Sequence, residues 1–288
     1  MQCLNDGFIL NNGVKIPCIG FGTWDIPNGE PTVKAVAAAL KAGYRHVDCA
    51  ALYGNQKSVG LAVRQAGVPR HELFINSKVW NTDRGYDKAL KAFEASLAEL
   101  GLDYLDMYLI HWPATARQYD DWRELNLSTW RALEKVYQDG RVRAIGVSNF
   151  KPHHLKPLMD GAEIMPMVNQ VEYHPGEMQA ETTAFCAENS ILTEAWSPLG
   201  EGLLLHNATL LEIAREYQKS TAQVVIKWCL QNGVLPLPRS ANAAHICENA
   251  AVFDFELRPD AMRRINELAY LENLSATLDP DAVDENFM

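Results

Sequence analysis

Residues 43–60, GYRHVDCAALYGNQKSVG, contain the feature that decides the fold: the short run YRHVD stops at Asp48, and the turn after it carries Tyr53. The same layout recurs downstream, where LFINSK (73–78) closes at Lys78 and YLDMYLIH (104–111) closes at His111. Short runs rich in β-branched and aromatic residues, broken by polar ones, read as strands. Between and before them lie PTVKAVAAALKAG (31–43), QKSVGLAVRQAG (56–67) and YDKALKAFEASLAELG (86–101), whose apolar residues recur at helical spacing. Pro31 at one helix start and Gly101 at another's end match the usual capping asymmetry.

Further strands are expected at IPCIGFG, VRAIGVSN, MVNQVEY, ILTEAW and VLPLPRS, ending at Gly22, Asn149, Gln170, Trp196 and Ser240. A helix is expected over STWRALEKVYQDG (128–140), and an extra one, NATLLEIAREYQK, before TAQVVIKWCLQNG. Most gaps between strand ends are roughly twenty to forty residues, the length of one βα unit. Eight such units predict an α/β fold, a closed (β/α)8 TIM barrel rather than an open doubly wound sheet. Asn12-Gly13 within FILNNGVKIP predicts an N-terminal β-hairpin. With no linker or low-complexity tract, residues 1–288 are expected to form one domain.

The 26 Lys+Arg against 36 Asp+Glu give a net charge of -10, which argues against nucleic-acid and anionic-membrane partners. The six cysteines lack C-x-x-C or His-linked metal spacing and read as small hydrophobes of a reducing compartment, with no metal site. MQCLNDGFIL has no basic or apolar signal region, and no apolar stretch is long enough to span a membrane. A cytoplasmic monomer acting on a small molecule is the expectation.

In a (β/α)8 barrel the chemistry sits at the C-terminal ends of several strands. Asp48, Tyr53, Lys78 and His111 would share that rim, and together they form a device for handling a proton. Hydride addition turns a carbonyl into an alkoxide, so an acid is needed beside the oxygen. A Tyr hydroxyl serves if a cation stabilises its anion. Lys78 supplies that charge, Asp48 holds Lys78, and His111 orients the carbonyl. Singly, each has a structural reading: a strand-end histidine, a rim aromatic, an ion pair. Their joint occurrence at three consecutive strand ends favours chemistry. IGFGTW has Gly20 and Gly22 but no third glycine opening a helix, so a Rossmann fingerprint is absent.

GYRHVDCAALYGNQKSVG, FINSKVWN, DMYLIHWP, GRVRAIGVSNF, VNQVEYHP and AWSPLG resemble, in order, the motifs of the aldo-keto reductases. The resemblance runs from about Gly7 to about Leu268. It implies a (β/α)8 barrel reducing aldehydes and ketones with NADPH, Tyr53 as proton donor, and Asp48, Lys78 and His111 completing its tetrad. It also implies that Ser148, Asn149 and Gln170 bind the nicotinamide carboxamide, that Trp196 stacks on the ring, and that Gly22, Thr23, Ser197 and Leu199 touch the cofactor.

At the adenosine end the chain departs from the family pattern. PRSANAAHICENA places Arg239 where Lys is usual, keeps Ser240, and puts His245 where Arg is usual, while Glu248 and Asn249 match the adenine pair. A guanidinium still suits a 2′-phosphate, but an imidazole removes one permanent charge. The expectation is NADPH, with NADH as a weaker alternative. Trp24, Trp80 and Trp112, with His111, follow the family's substrate-pocket positions. The tail after Leu268 is short and acidic, so the pocket is expected to be open there and to take small 2-oxo-aldehydes, keto-sugars or keto-acids. Two alternatives are a Schiff-base barrel enzyme using Lys78 and a non-catalytic NADPH-binding barrel.

Overall fold

The structure is a computed structural model that describes residues 1–269 and 279–283. β1 (Gly7–Ile9) and β2 (Lys15–Pro17) form the expected antiparallel hairpin, with Phe8 opposite Ile16. Its turn is tied to the barrel: Asn12 Nδ2 donates to Arg143 O at 3.0 Å, and Asn11 Nδ2 donates to Pro166 O at 2.9 Å. Those carbonyls lie at the entrances of two barrel strands, so the hairpin covers the end remote from the strand C-termini.

The barrel strands are β3 (Gly20–Gly22), β4 (His46–Asp48), β5 (Phe74–Val79), β6 (Leu105–Ile110), β7 (Val142–Ser148), β8 (Val168–Glu172), β9 (Leu192–Trp196) and β10 (Leu235–Pro236). They are parallel and pair in sequence order from β3 to β10. β5 and β6 are buried along their whole lengths, as expected of strands covered on both faces. At the seam between β10 and β3, Gly22 N–H donates to Pro238 O at 3.2 Å. Gly20 permits this seam, because a Cβ there would lie 2.3 Å from Leu237 Cδ2. Ser240 lies four residues beyond the last strand; Pro236 and Pro238 remove the donors that would extend the ladder.

Ten helices among the described residues surround the strands: α1 (Glu30–Lys41), α2 (Gln56–Gln65), α3 (Tyr86–Leu100), α4 (Trp122–Gln138), α5 (Pro152–Gly161), α6 (Ala180–Glu188), α7 (Ala208–Tyr217), α8 (Thr221–Gln231), α9 (Ala243–Ala250) and α10 (Pro259–Asn266). The extra helix before α8 is present as α7. α4 begins at Trp122 rather than at residue 128, since its first turns are anchored inward. Asn126 Oδ1 accepts from Ala114 N at 2.8 Å, and its Nδ2 donates to Ala114 O at 3.0 Å. No helix among the described residues is long and apolar enough to cross a membrane.

The expectation of an open C-terminal side is corrected in part, although much of that tail lies outside the described residues. Residues 279–283 return to the barrel rim. Lys151 Nζ lies 2.7 Å from Asp279 Oδ1, while His153 Nε2 and His154 Nε2 each lie 3.0 Å from Asp281 Oδ1. These contacts seat Val283, only 2% exposed, against Trp80 and Trp112. The two histidines and Asp281 crowd like metal ligands, but Lys151 N–H donates to His154 Nδ1 at 3.2 Å. That leaves the ring proton on Nε2, where a metal would need the lone pair.

Candidate active site

Each tetrad residue is delivered by a strand end. Asp48 is the last residue of β4 and Lys78 the penultimate one of β5; His111 directly follows β6, and Tyr53 ends a single helical turn after β4. Lys78 Nζ donates to both Asp48 oxygens, at 2.7 and 2.9 Å, and to Tyr53 Oη at 3.0 Å. The Tyr53 and His111 rings are edge to face with centroids 5.7 Å apart. All four expected residues therefore meet.

Lys78 is fully buried. Burial disfavours its charge, but Asp48 and Tyr53 outweigh that and hold its pKa above the ordinary lysine value. Asp48 is held in turn by Asn76 Nδ2 at 2.8 Å and Gln170 Nε2 at 2.9 Å. For Tyr53 the expected lowering by Lys78 is outweighed: burial pushes the phenol up to about 12, with Lys78 opposing. The hydroxyl therefore stays protonated at neutral pH. Burial and the Lys78 charge push His111 well below its ordinary value, so its ring is neutral. Its Nδ1 is buried with no hydrogen-bond partner among the described residues. A buried N–H without an acceptor costs more than an unused lone pair, which assigns the proton to Nε2.

Beside the tetrad lies a cavity of about 910 Å³, whose wall includes Tyr53, His111, Trp24, Trp112, Gly22 and Leu52. The expected cofactor positions Ser148, Asn149, Gln170, Trp196, Ser197 and Leu199 line it, as do Arg239, Ser240, His245, Glu248 and Asn249. Asn149 and Ser197 hold positive φ angles, 64° and 46°, immediately after β7 and β9; such strained residues gather at functional sites. Asn149 is locked: Nδ2 donates to His111 O and Ser148 Oγ at 3.0 Å each, and Oδ1 accepts from Trp196 Nε1 at 2.8 Å. Ser148 Oγ donates to Gln170 O at 2.7 Å. The valences left open on Ser148 Oγ, Asn149 Oδ1 and Gln170 Oε1 are acceptors, which suits an amide –NH2. Arg239 Nη1 lies 3.5 Å from Asp25 Oδ2.

Two expected contacts fall behind the cavity wall. Thr23 is fully buried, and its Oγ1 donates to Asp48 O at 2.8 Å, so it braces the tetrad. Trp80 packs under Val283 and edge-on to His111, with centroids 5.2 Å apart. Glu194, which the sequence reading passed over, is fully buried beside Gln170, with Gln170 Nε2 to Glu194 Oε2 at 2.9 Å. Its signal was present: one carboxylate inside the apolar strand ILTEAW.

Comparison with known proteins agrees with this geometry. The profile of the Aldo/keto reductase family matches residues 18–270. Glyoxal reductase of Bacillus subtilis (strain 168) is 51% identical over 265 residues, covering 92% of this chain and 93% of its own. Morphine 6-dehydrogenase of Pseudomonas putida is 40% identical over 272 residues, covering 90% of each. The crystal structure of a Gox0644 mutant in complex with NADPH superposes with a TM-score of 0.88 at 38% identity, covering 96% of this chain and 98% of that one. A profile match over most of the chain, joined to a barrel with these strand-end residues, gives the assignment: the chain belongs to the aldo/keto reductase family.

Proposed function

We propose that this protein reduces the carbonyl group of small aldehydes and ketones with NADPH, Tyr53 donating the proton. The observation that carries this reading is the Lys78–Tyr53 contact of 3.0 Å inside a fully buried Lys78–Asp48 pair. Bound NADPH would supply the hydride. Because Tyr53 Oη accepts from Lys78, its own O–H is left for the carbonyl oxygen, and Lys78 stabilises the phenolate that remains. His111 Nε2–H adds a second donor that orients the carbonyl.

Ser148, Asn149 and Gln170 would hold the nicotinamide amide and Trp196 its ring. Arg239, Ser240 and His245 would meet the 2′-phosphate, and Glu248 and Asn249 the adenine. The apolar wall of Trp24, Trp112 and Leu52, with Val283 packed against Trp112, suits a small carbonyl compound. The relative that reduces glyoxal favours dicarbonyl substrates of that size. The Schiff-base alternative loses support, because both Asp48 oxygens hold Lys78 charged and a protonated amine is not nucleophilic. Absorbance loss of NADPH with glyoxal, methylglyoxal or a keto-sugar tests the reading, and borohydride trapping should leave Lys78 unlabelled. Turnover with none of these, together with no NADPH binding, would overturn it.

A further inference from the structure

Beneath the tetrad a second buried carboxyl group joins the hydrogen-bond chain. Gln170 Nε2 lies 2.9 Å from Asp48 Oδ1 and 2.9 Å from Glu194 Oε2. Both neighbours offer acceptor oxygens at those contacts, so only the amide nitrogen satisfies this position. Gln170 Oε1 is thereby committed to the other side, and Gln170 is part of the cavity wall. Without an acceptor at residue 194, one of the two amide hydrogens loses its partner and the amide is held by the Asp48 bond alone.

We propose that Glu194 is a positioning residue, acting as a neutral acid that fixes the Gln170 amide so that its Oε1 accepts from the nicotinamide amide. The inference rests on the role given to Gln170 above. Two observations beyond the distances support it. Glu194 Oε1 is buried with no hydrogen-bond partner among the described residues. An ionised carboxylate left so poorly solvated is strongly disfavoured. The charges coupled to it are Asp48 from β4 and Lys78 from β5, and Asp48 already holds Lys78 with both oxygens, while from β8 the bond to Glu194 comes from the neutral Gln170. Burial pushes the Glu194 carboxyl up to about 8, Asp48 adding to the effect while the Gln170 bond and Lys78 oppose it.

Ionising Glu194 at higher pH puts a second negative charge beside Asp48. That charge disfavours the Tyr53 phenolate left after proton donation, so reduction should slow as pH rises through about 8. The sign for stability follows from linkage. The unfolded chain releases this proton near the ordinary value of 4.5, whereas the native protein keeps it to about 8. Native structure therefore loses stability as pH rises through that window.

Thermal unfolding of the cofactor-free protein between pH 4.5 and 9, wild type against Glu194→Gln, tests the neutral acid without any turnover. The substituted amide keeps a carbonyl acceptor but cannot ionise. The melting temperatures should diverge with rising pH, Glu194→Gln gaining about 10 °C on wild type by pH 9. Fluorescence titration with NADPH tests the positioning: Glu194→Leu should weaken binding roughly tenfold, and Glu194→Gln should restore it to within about threefold of wild type. If Glu194→Leu does not fold, Glu194→Gln still decides, through the melting curves and through loss of the alkaline fall in kcat. Parallel melting curves, or full NADPH affinity in Glu194→Leu, would overturn the inference. Normal wild-type turnover alongside either result would leave the reductase reading standing. Absent wild-type turnover together with absent NADPH binding would sink that reading, while the melting curves would still decide the state of Glu194.

Discussion

Lys78 Nζ donates a hydrogen bond to Tyr53 Oη at 3.0 Å, and this relation directs the phenol's own proton away from the barrel interior. An ammonium has only donors to offer, so the Tyr53 O–H must seek an acceptor elsewhere. The cavity that Tyr53 lines offers that place.

Replacing Lys78 tests the relation from the cation's side. Lys78→Met should remove most of kcat and leave Asp48 as a buried charge without its ammonium. Breaking such a pair from one side costs about 3–5 kcal/mol. Urea unfolding should therefore show a lower midpoint, and an unchanged midpoint would mean that the pair contributes little.

The cofactor's phosphate should be read mainly by Arg239, which faces Asp25 at 3.5 Å across the cavity rim. Arg239→Ala should raise KM for NADPH far more than for NADH, by about tenfold or more, as loss of a charge-assisted phosphate contact predicts. Equal changes for the two cofactors would remove Arg239 from phosphate recognition.

His111 is held neutral by burial and by Lys78. Because its pKa lies well below 6.5, the ring takes up no proton as pH falls through that value. The kcat/KM profile for reduction should therefore be flat across pH 6 to 7. An acid limb near 6.5 that disappears in His111→Ala would show that the ring titrates in the free enzyme after all.

Asp281 holds the C-terminal segment through Lys151, His153 and His154. Asp281→Ala should loosen Val283 from Trp80 and Trp112 and expose both indoles. Acrylamide quenching of tryptophan fluorescence should rise, and KM for a small aldehyde should increase as Trp112, which lines the pocket, loses its backing. Unchanged quenching would mean that Val283 is held by its apolar contacts alone.

The barrel and the meeting of Asp48, Tyr53, Lys78 and His111 at one rim were legible because both are written locally. A strand that stops at Asp48, Lys78 or His111 carries its polar group in the same few residues that define the strand. The hairpin was equally readable from Asn12-Gly13. What could not be read depends on contacts distant in sequence. Thr23 was expected at the cofactor but bonds to the Asp48 carbonyl, and Trp80 was expected on the pocket wall but lies under Val283. The balance on Tyr53 was also hidden, since Lys78 is evident in sequence while the burial that outweighs it is a property of the packed rim. Glu194 was overlooked because one acid in an apolar strand acquires meaning only when β8 places Gln170 between it and Asp48.

Proton donation by Tyr53 is tested by single-turnover and steady-state reduction of methylglyoxal by Tyr53→Phe, with NADPH affinity measured in parallel by fluorescence quenching. Loss of a general acid lowers the rate by about 10² to 10⁴-fold, so kcat should fall within that range while NADPH affinity stays within about threefold of wild type. Retention of most activity by a Tyr53→Phe protein that binds NADPH normally would contradict donation by Tyr53, because another group would then be delivering the proton.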